Sequence, residues 1–95
     1  MTNIQEWIDQ QYPQSGWTDE KGKQINRSNA YKIQLTEPNL EGELDCSDFT
    51  YKWGVKIYIH PSVDETKLTF TNLPTKAEII PIDAQRYINY YKKAI

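Results

Sequence analysis

The sequence predicts an α+β fold, a small and mostly antiparallel sheet of four to five short strands with an N-terminal and a C-terminal amphipathic helix. Three observations lead there. Apolar residues recur at helical spacing near both ends of the chain. Between them, short runs alternate apolar and polar residues with a period of two. Proline, glycine and asparagine punctuate those runs. With 95 residues there is room for one hydrophobic core, so residues 1–95 read as a single domain.

The opening helix is expected over residues 3–12. Thr2 and Asn3 are residues that cap free backbone amides, and Gln5 stands where a capping box places a glutamine. Ile4, Trp7, Ile8 and Tyr12 share one helical face, and Pro13 ends the pattern. Residues 13–29 are polar, carry Gly16 and Gly22, and offer Trp17 and Ile25 as the only apolar anchors, which predicts a loop.

Residues 30–82 form the strand region. Tyr31, Ile33 and Leu35 alternate with polar residues before a break at Glu37-Pro38-Asn39. Leu40 and Leu44 flank Gly42, and Asp45 to Phe49 reads as a short extended piece entering a turn. Val55, Ile57 and Ile59 alternate with Lys56 and Tyr58, Leu68 and Phe70 repeat the pattern among threonines, and Glu78 to Ile82 makes a last apolar strand. A closing helix is expected over residues 84–94. Asp83 is its cap, and Ala84, Tyr87, Ile88, Tyr91 and Ile95 lie along one stripe. The stretch from Asp83 to Asn89 echoes that from Asn3 to Asp9: cap, glutamine, aromatic, isoleucine and Asp/Asn stand in matching positions.

Gln5 to Pro13, reading Gln-Glu-Trp-Ile-Asp-Gln-Gln-Tyr-Pro, resembles the helix that precedes the repeats in leucine-rich-repeat proteins of fungal type. Ile33-Gln34-Leu35 and then Asn39-Leu40-Glu41-Gly42-Glu43-Leu44-Asp45 resemble the first strand and loop of such an array. The resemblance implies an N-terminal cap and a first repeat, and a role in binding proteins. After Phe49 no further Leu-x-x-Leu-x-Leu-x-x-Asn unit follows, and a solenoid needs about three repeats to bury a continuous core. The expectation is therefore a cap segment folded into a compact α+β unit.

Thirteen acidic residues against eleven basic ones leave a formal charge of −2, which supplies no long-range field for phosphate polymers or anionic membranes. The best nucleic-acid candidate is Lys21, Lys23, Arg27 and Lys32 with Trp17 and Tyr31 interleaved, but Asp19 and Glu20 sit beside it, and a polar loop is the favoured reading. One cysteine, Cys46, forms no internal disulfide. The N-terminus lacks a secretory pattern and no apolar run is long enough to span a bilayer, so a cytoplasmic location without membrane contact is expected.

Catalytic patterns are sparse. His60, the single histidine, would act as a general base if Asp64 or Glu65 approached it, which is the basis of a minor reading as a small hydrolase. Cys46 lies between carboxylates that would blunt its nucleophilicity, so it reads as a small core residue. One Cys and one His make no zinc set, the acidic run Glu41, Glu43, Asp45 and Asp48 lacks calcium-loop spacing, and no cofactor is expected.

What remains is a surplus of aromatic residues. The leading expectation is a non-catalytic protein–protein interaction module: an adaptor, a repeat-capping unit or a small inhibitor. Trp17 and Trp53 in loops, Tyr58 on the polar side of its strand and Tyr90 on the outer face of the closing helix are the expected binding residues. An alternative is a small acidic inhibitor of a nucleic-acid enzyme, with Glu37, Glu41, Glu43, Asp45 and Asp48 standing in for phosphates.

Overall fold

The computed structural model describes residues 1–81. The chain starts with β1 (Thr2–Asn3) and α1 (Ile4–Gln11), then β2 (Trp17–Thr18) and β3 (Gln24–Ile25). It continues through β4 (Lys32–Leu35), β5 (Leu40–Asp45), β6 (Lys56–Ile59), β7 (Leu68–Thr71) and β8 (Glu78–Pro81). Single 3-10 turns occupy Arg27–Asn29 and Glu65–Lys67.

The strands were expected to form one mostly antiparallel sheet. Instead of four to five strands, the described residues hold eight: two parallel three-stranded sheets, ordered β1-β5-β7 and β4-β6-β8, and the antiparallel pair of β2 with β3. The reason lies in the connections. An antiparallel neighbour is reached through a tight hairpin, whereas a parallel neighbour requires the chain to leave the sheet and return. Here β5 follows β4 around the Glu37-Pro38-Asn39 corner and joins the other sheet, and the chain returns only at β6. Lys32, Lys56 and Glu78 stand side by side in the second sheet, so 24 and then 22 residues separate one strand from the next. The chain is thus wound as a short stack of turns, and it continues past Phe49, where no further repeat was expected.

The inward residues of both sheets meet in one core: Ile33, Leu35, Ile57 and Ile59 from β4 and β6, Leu40 and Leu44 from β5, with Cys46, Phe49 and Val55 from the turns. Removing each large aliphatic side chain from water contributes about 1.5–3 kcal/mol. Alternation of buried and exposed residues along β4 and β6 is what the period-two pattern anticipated.

The expected opening helix is present as α1. Asn3 caps it by accepting from the Glu6 amide, and Ile4 and Ile8 are its buried residues. It closes the first turn of the stack. The Gln5 side-chain carbonyl accepts from the Asp45 amide at 3.0 Å, and the Tyr12 hydroxyl accepts from the Gln34 amide at 3.1 Å. Each satisfies a donor on a strand edge that has no partner strand at that position.

Arg27 locks this cap in place. Its guanidinium is buried and donates to the Tyr12 carbonyl, to Asp9 at 2.9 Å and to Asp48 at 3.3 Å, with the Phe49 ring beneath it. The 13–29 segment, expected to be irregular, is tied down by this residue and by the β2–β3 ribbon. In the ribbon's turn, Asp19 accepts from the Lys21 and Lys23 amides. The expected closing helix over 84–94 lies outside the described residues.

Candidate interaction surface

The outward residues of the β4-β6-β8 sheet form two rows. Lys32, Lys56 and Glu78 are in register in one, and Gln34, Tyr58 and Ile80 in the other. Alternation sends the neighbours Ile33, Ile57 and Ile79 inward to the core, which leaves these six on the opposite face. Tyr58 is half-buried, flanked by Gln34 and Ile80, at the centre of the face.

Gln34 also borders a cleft of about 280 Å³ whose other walls include Tyr12, Trp17, Tyr31 and Lys32. Trp17, half-buried, pairs with Ile25 across the ribbon and meets the Tyr12 ring edge-on at 5.1 Å, and Tyr12 in turn meets Trp7 at 6.3 Å. The Trp17 ring therefore supports the cap as well as lining the cleft. Through Gln34 the cleft runs onto the sheet face, so Trp17 and Tyr58, 41 positions apart in the sequence, border one surface.

Trp53 stands in the turn that leads into β6, three residues before Lys56. It is 67% exposed, which excludes a core role. The turn that carries it is closed by the Gly54 amide donating to the Tyr51 carbonyl. Gly54 has φ +92° and packs directly on the Lys76 carbonyl, so no side chain fits there. That contact holds the Trp53 turn against the residues leading into β8. Two ammonium groups stand over the indole, Lys52 at 5.3 Å and Lys76 at 5.8 Å from the ring centroid. Tyr90 lies outside the described residues.

The other candidates take separate places. Glu41, Glu43 and Asp45 alternate with Leu40 and Leu44 and line the outside of β5, on the far sheet. Three of the five carboxylates expected as phosphate mimics, Glu37, Asp45 and Asp48, are engaged in hydrogen bonds within the chain. Glu37 accepts from the Asn39 amide, and Asp48 accepts from Arg27 and Gln14. Asp45 is held below the usual carboxylate range by the Ser47 amide and hydroxyl and by the Asn72 side chain.

Arg27 belongs to the cap, so the basic run Lys21, Lys23, Arg27 and Lys32 loses its central cation to an internal ion pair. His60 exchanges a hydrogen bond with the Ser62 hydroxyl at 2.8 Å, and Asp64 accepts from the Thr66 amide and hydroxyl, which hold its carboxyl below the usual range. Cys46 is fully buried. Burial, and secondarily the Asp45 charge, pushes its thiol up to about 11, far from a reactive thiolate. Among the described residues no group of three or more His, Cys, Asp or Glu is placed to hold a metal ion, and no helix is long and apolar enough to cross a membrane.

Sequence reasoning named Trp17, Trp53 and Tyr58 but missed Gln34, Lys56, Ile80 and Lys76, which surround them. The signal was present as Lys32-Ile33-Gln34-Leu35 recurring 24 residues later as Lys56-Ile57-Tyr58-Ile59. No family model, curated protein or solved structure matches the chain.

Proposed function

We propose that this chain is a protein–protein interaction module, and that it binds through the outward face of the β4-β6-β8 sheet together with the Trp17 cleft. The observation that carries the reading is the continuity of that surface. A half-buried tyrosine at the centre of a parallel sheet adjoins, through Gln34, an aromatic cleft, and an exposed tryptophan stands in the turn that leads into the same central strand. Tyr and Trp are the residue types that most often dominate binding energy at protein interfaces, because a large rigid ring is immobilised at small entropic cost. A face formed on strands rather than on loops presents these rings in fixed positions.

The resemblance of the first half of the chain to the cap and first repeat of fungal-type leucine-rich-repeat proteins agrees with this reading. Stacked turns of 24 and 22 residues, closed by an N-terminal helix, are the arrangement such a relationship would require. In this role the stack is an adaptor or capping unit without a catalytic step of its own.

The test is affinity capture from source-cell lysate with the wild type, a Tyr58→Ala variant on the proposed face and a Thr69→Ala variant on the outside of the other sheet, each shown to be folded by circular dichroism. Loss of a captured protein with Tyr58→Ala and retention with Thr69→Ala supports the assignment. Equal capture by all three proteins removes it.

A further inference from the structure

The formal charge of −2 conceals a segregated surface. Glu41, Glu43 and Asp45 line the outside of β5, whereas Lys32 and Lys56 stand next to each other on the outside of β4 and β6, at the strand spacing of about 4.8 Å. Lys52 and Lys76, in the turns that lead into β6 and β8, converge on Trp53. Adjacent like charges on one sheet face oppose each other, and evolution or design normally relieves them with a carboxylate. Glu78, in register with Lys56, is the one acidic residue of the six outward positions. Among the described residues the ion pairs are those of Arg27, and none involves these four lysines.

Among the described residues Glu78 is the one carboxylate set in register beside these lysines, and Lys52 and Lys76 stand without an ion-pair partner over an exposed indole. An indole N–H is itself a donor, so the turn presents several donors to an anion and an apolar ring to whatever carries it.

We propose that the Trp53 turn receives an acidic peptide segment of a partner protein, with carboxylates placed at Lys52, Lys76 and Lys56 and an apolar side chain laid on Trp53. This rests on the interaction-face reading above and specifies the partner's chemistry. A carboxylate placed between two ammonium groups relieves their mutual repulsion as well as pairing with them, so binding falls as salt rises.

The experiment is calorimetric titration of the full chain with three probes: a synthetic peptide alternating glutamate and leucine, its lysine-for-glutamate counterpart, and a single-stranded oligoribonucleotide. Each is run with the wild type, with Lys52→Glu/Lys76→Glu and with Tyr58→Ala. The expected result is binding of the glutamate peptide alone, weakened at least tenfold by the double charge reversal and weakened again by added salt.

Tighter binding of the oligoribonucleotide, equal binding of the lysine peptide, or no heat from the glutamate peptide up to millimolar concentration overturns the proposal. Concentration-dependent self-association that is abolished by Glu43→Lys also overturns it, by making β5 of a second copy the acidic occupant. If the captured partner is lost with Tyr58→Ala yet kept with the double reversal, the interaction face stands and the acidic-segment inference alone fails.

Discussion

The capped end of the stack and the outward face of β4-β6-β8 treat positive charge in opposite ways. At the cap, one guanidinium is buried and fully partnered, by a main-chain carbonyl, two carboxylates and an aromatic ring. On the face and in the turns that lead into it, four ammonium groups are exposed, two of them share one indole, and among the described residues no ion pair engages any of the four. The same class of charge serves cohesion in one region and is left for solvent or a partner in the other. Mutational stability and binding should therefore separate along that line.

The sharpest break is expected at Gly54, the joint beneath the Trp53 turn. A methyl group there meets the Lys76 carbonyl, and the positive φ disfavours any L side chain, so Gly54→Ala should lower unfolding free energy by about 3 kcal/mol. Chemical denaturation measures it, and a loss below about 1 kcal/mol would mean that the turn moves aside easily. Arg27→Ala at the cap comes next. It removes a buried stem and leaves the Tyr12 carbonyl, Asp9 and Asp48 without their donor. Because both carboxylates are about half exposed and can be rehydrated, the cost should be about 2 kcal/mol, not the larger value of a wholly buried pair.

The cap should also carry an acid dependence. Hydrogen bonding to Arg27 holds Asp9 below the usual carboxylate range. A carboxyl whose folded pKa is depressed adds stability above its unfolded value of about 4 and loses it as pH falls through the lower folded value. The stability difference between wild type and Asp9→Asn should then be present at neutral pH, under about 1 kcal/mol because Asp9 is exposed, and should shrink in acid. Thermal melts from neutral pH down into that range test it; a difference that grows in acid would contradict the pairing. The smallest effect on folding is expected on the face, where Lys56→Ala should change stability by less than about 0.5 kcal/mol. A large loss there would show that these lysines serve the fold after all.

The contrast between regions matches what was readable in the residues. Helix α1 was legible because its signals are local: the Asn3 cap, the spacing of Ile4 and Ile8, and Pro13 after it. The positions of β4, β6, β7 and β8 were legible for the same reason, since Lys56–Ile59 alternates within four residues. The two-residue strands β1, β2 and β3 are too short to show a period, and the expected extended piece Asp45–Phe49 is, past Asp45, a turn that follows β5. Strand direction was not legible. Alternation gives the face on which a residue sits and carries no information on whether the neighbour lies one hairpin or one full turn away.

That ambiguity alone turned two parallel sheets into an expected antiparallel one. It also hid the candidate surface, because Gln34, Tyr58 and Ile80 become neighbours only once residues 24 and 22 positions apart are stacked. Arg27 was misplaced for a related reason. In a polar loop it reads as a solvated cation, and only the return of the chain beside α1 and Phe49 buries it.

The two strand-edge amides satisfied by Gln5 and Tyr12 have a consequence for colloidal behaviour. A parallel sheet that ends in bare amides templates the addition of strands from other molecules, and here, beyond the short pairing of β1 with β5, one amide of each sheet is covered by a side-chain carbonyl or a phenol. Gln5 lies in the first turn of α1 and Tyr12 caps its C-terminus, so a lesion that loosens α1 uncovers an amide of both sheets at once. Fibril formation from this chain would accordingly begin by detachment of the helix and not by fraying of a single strand.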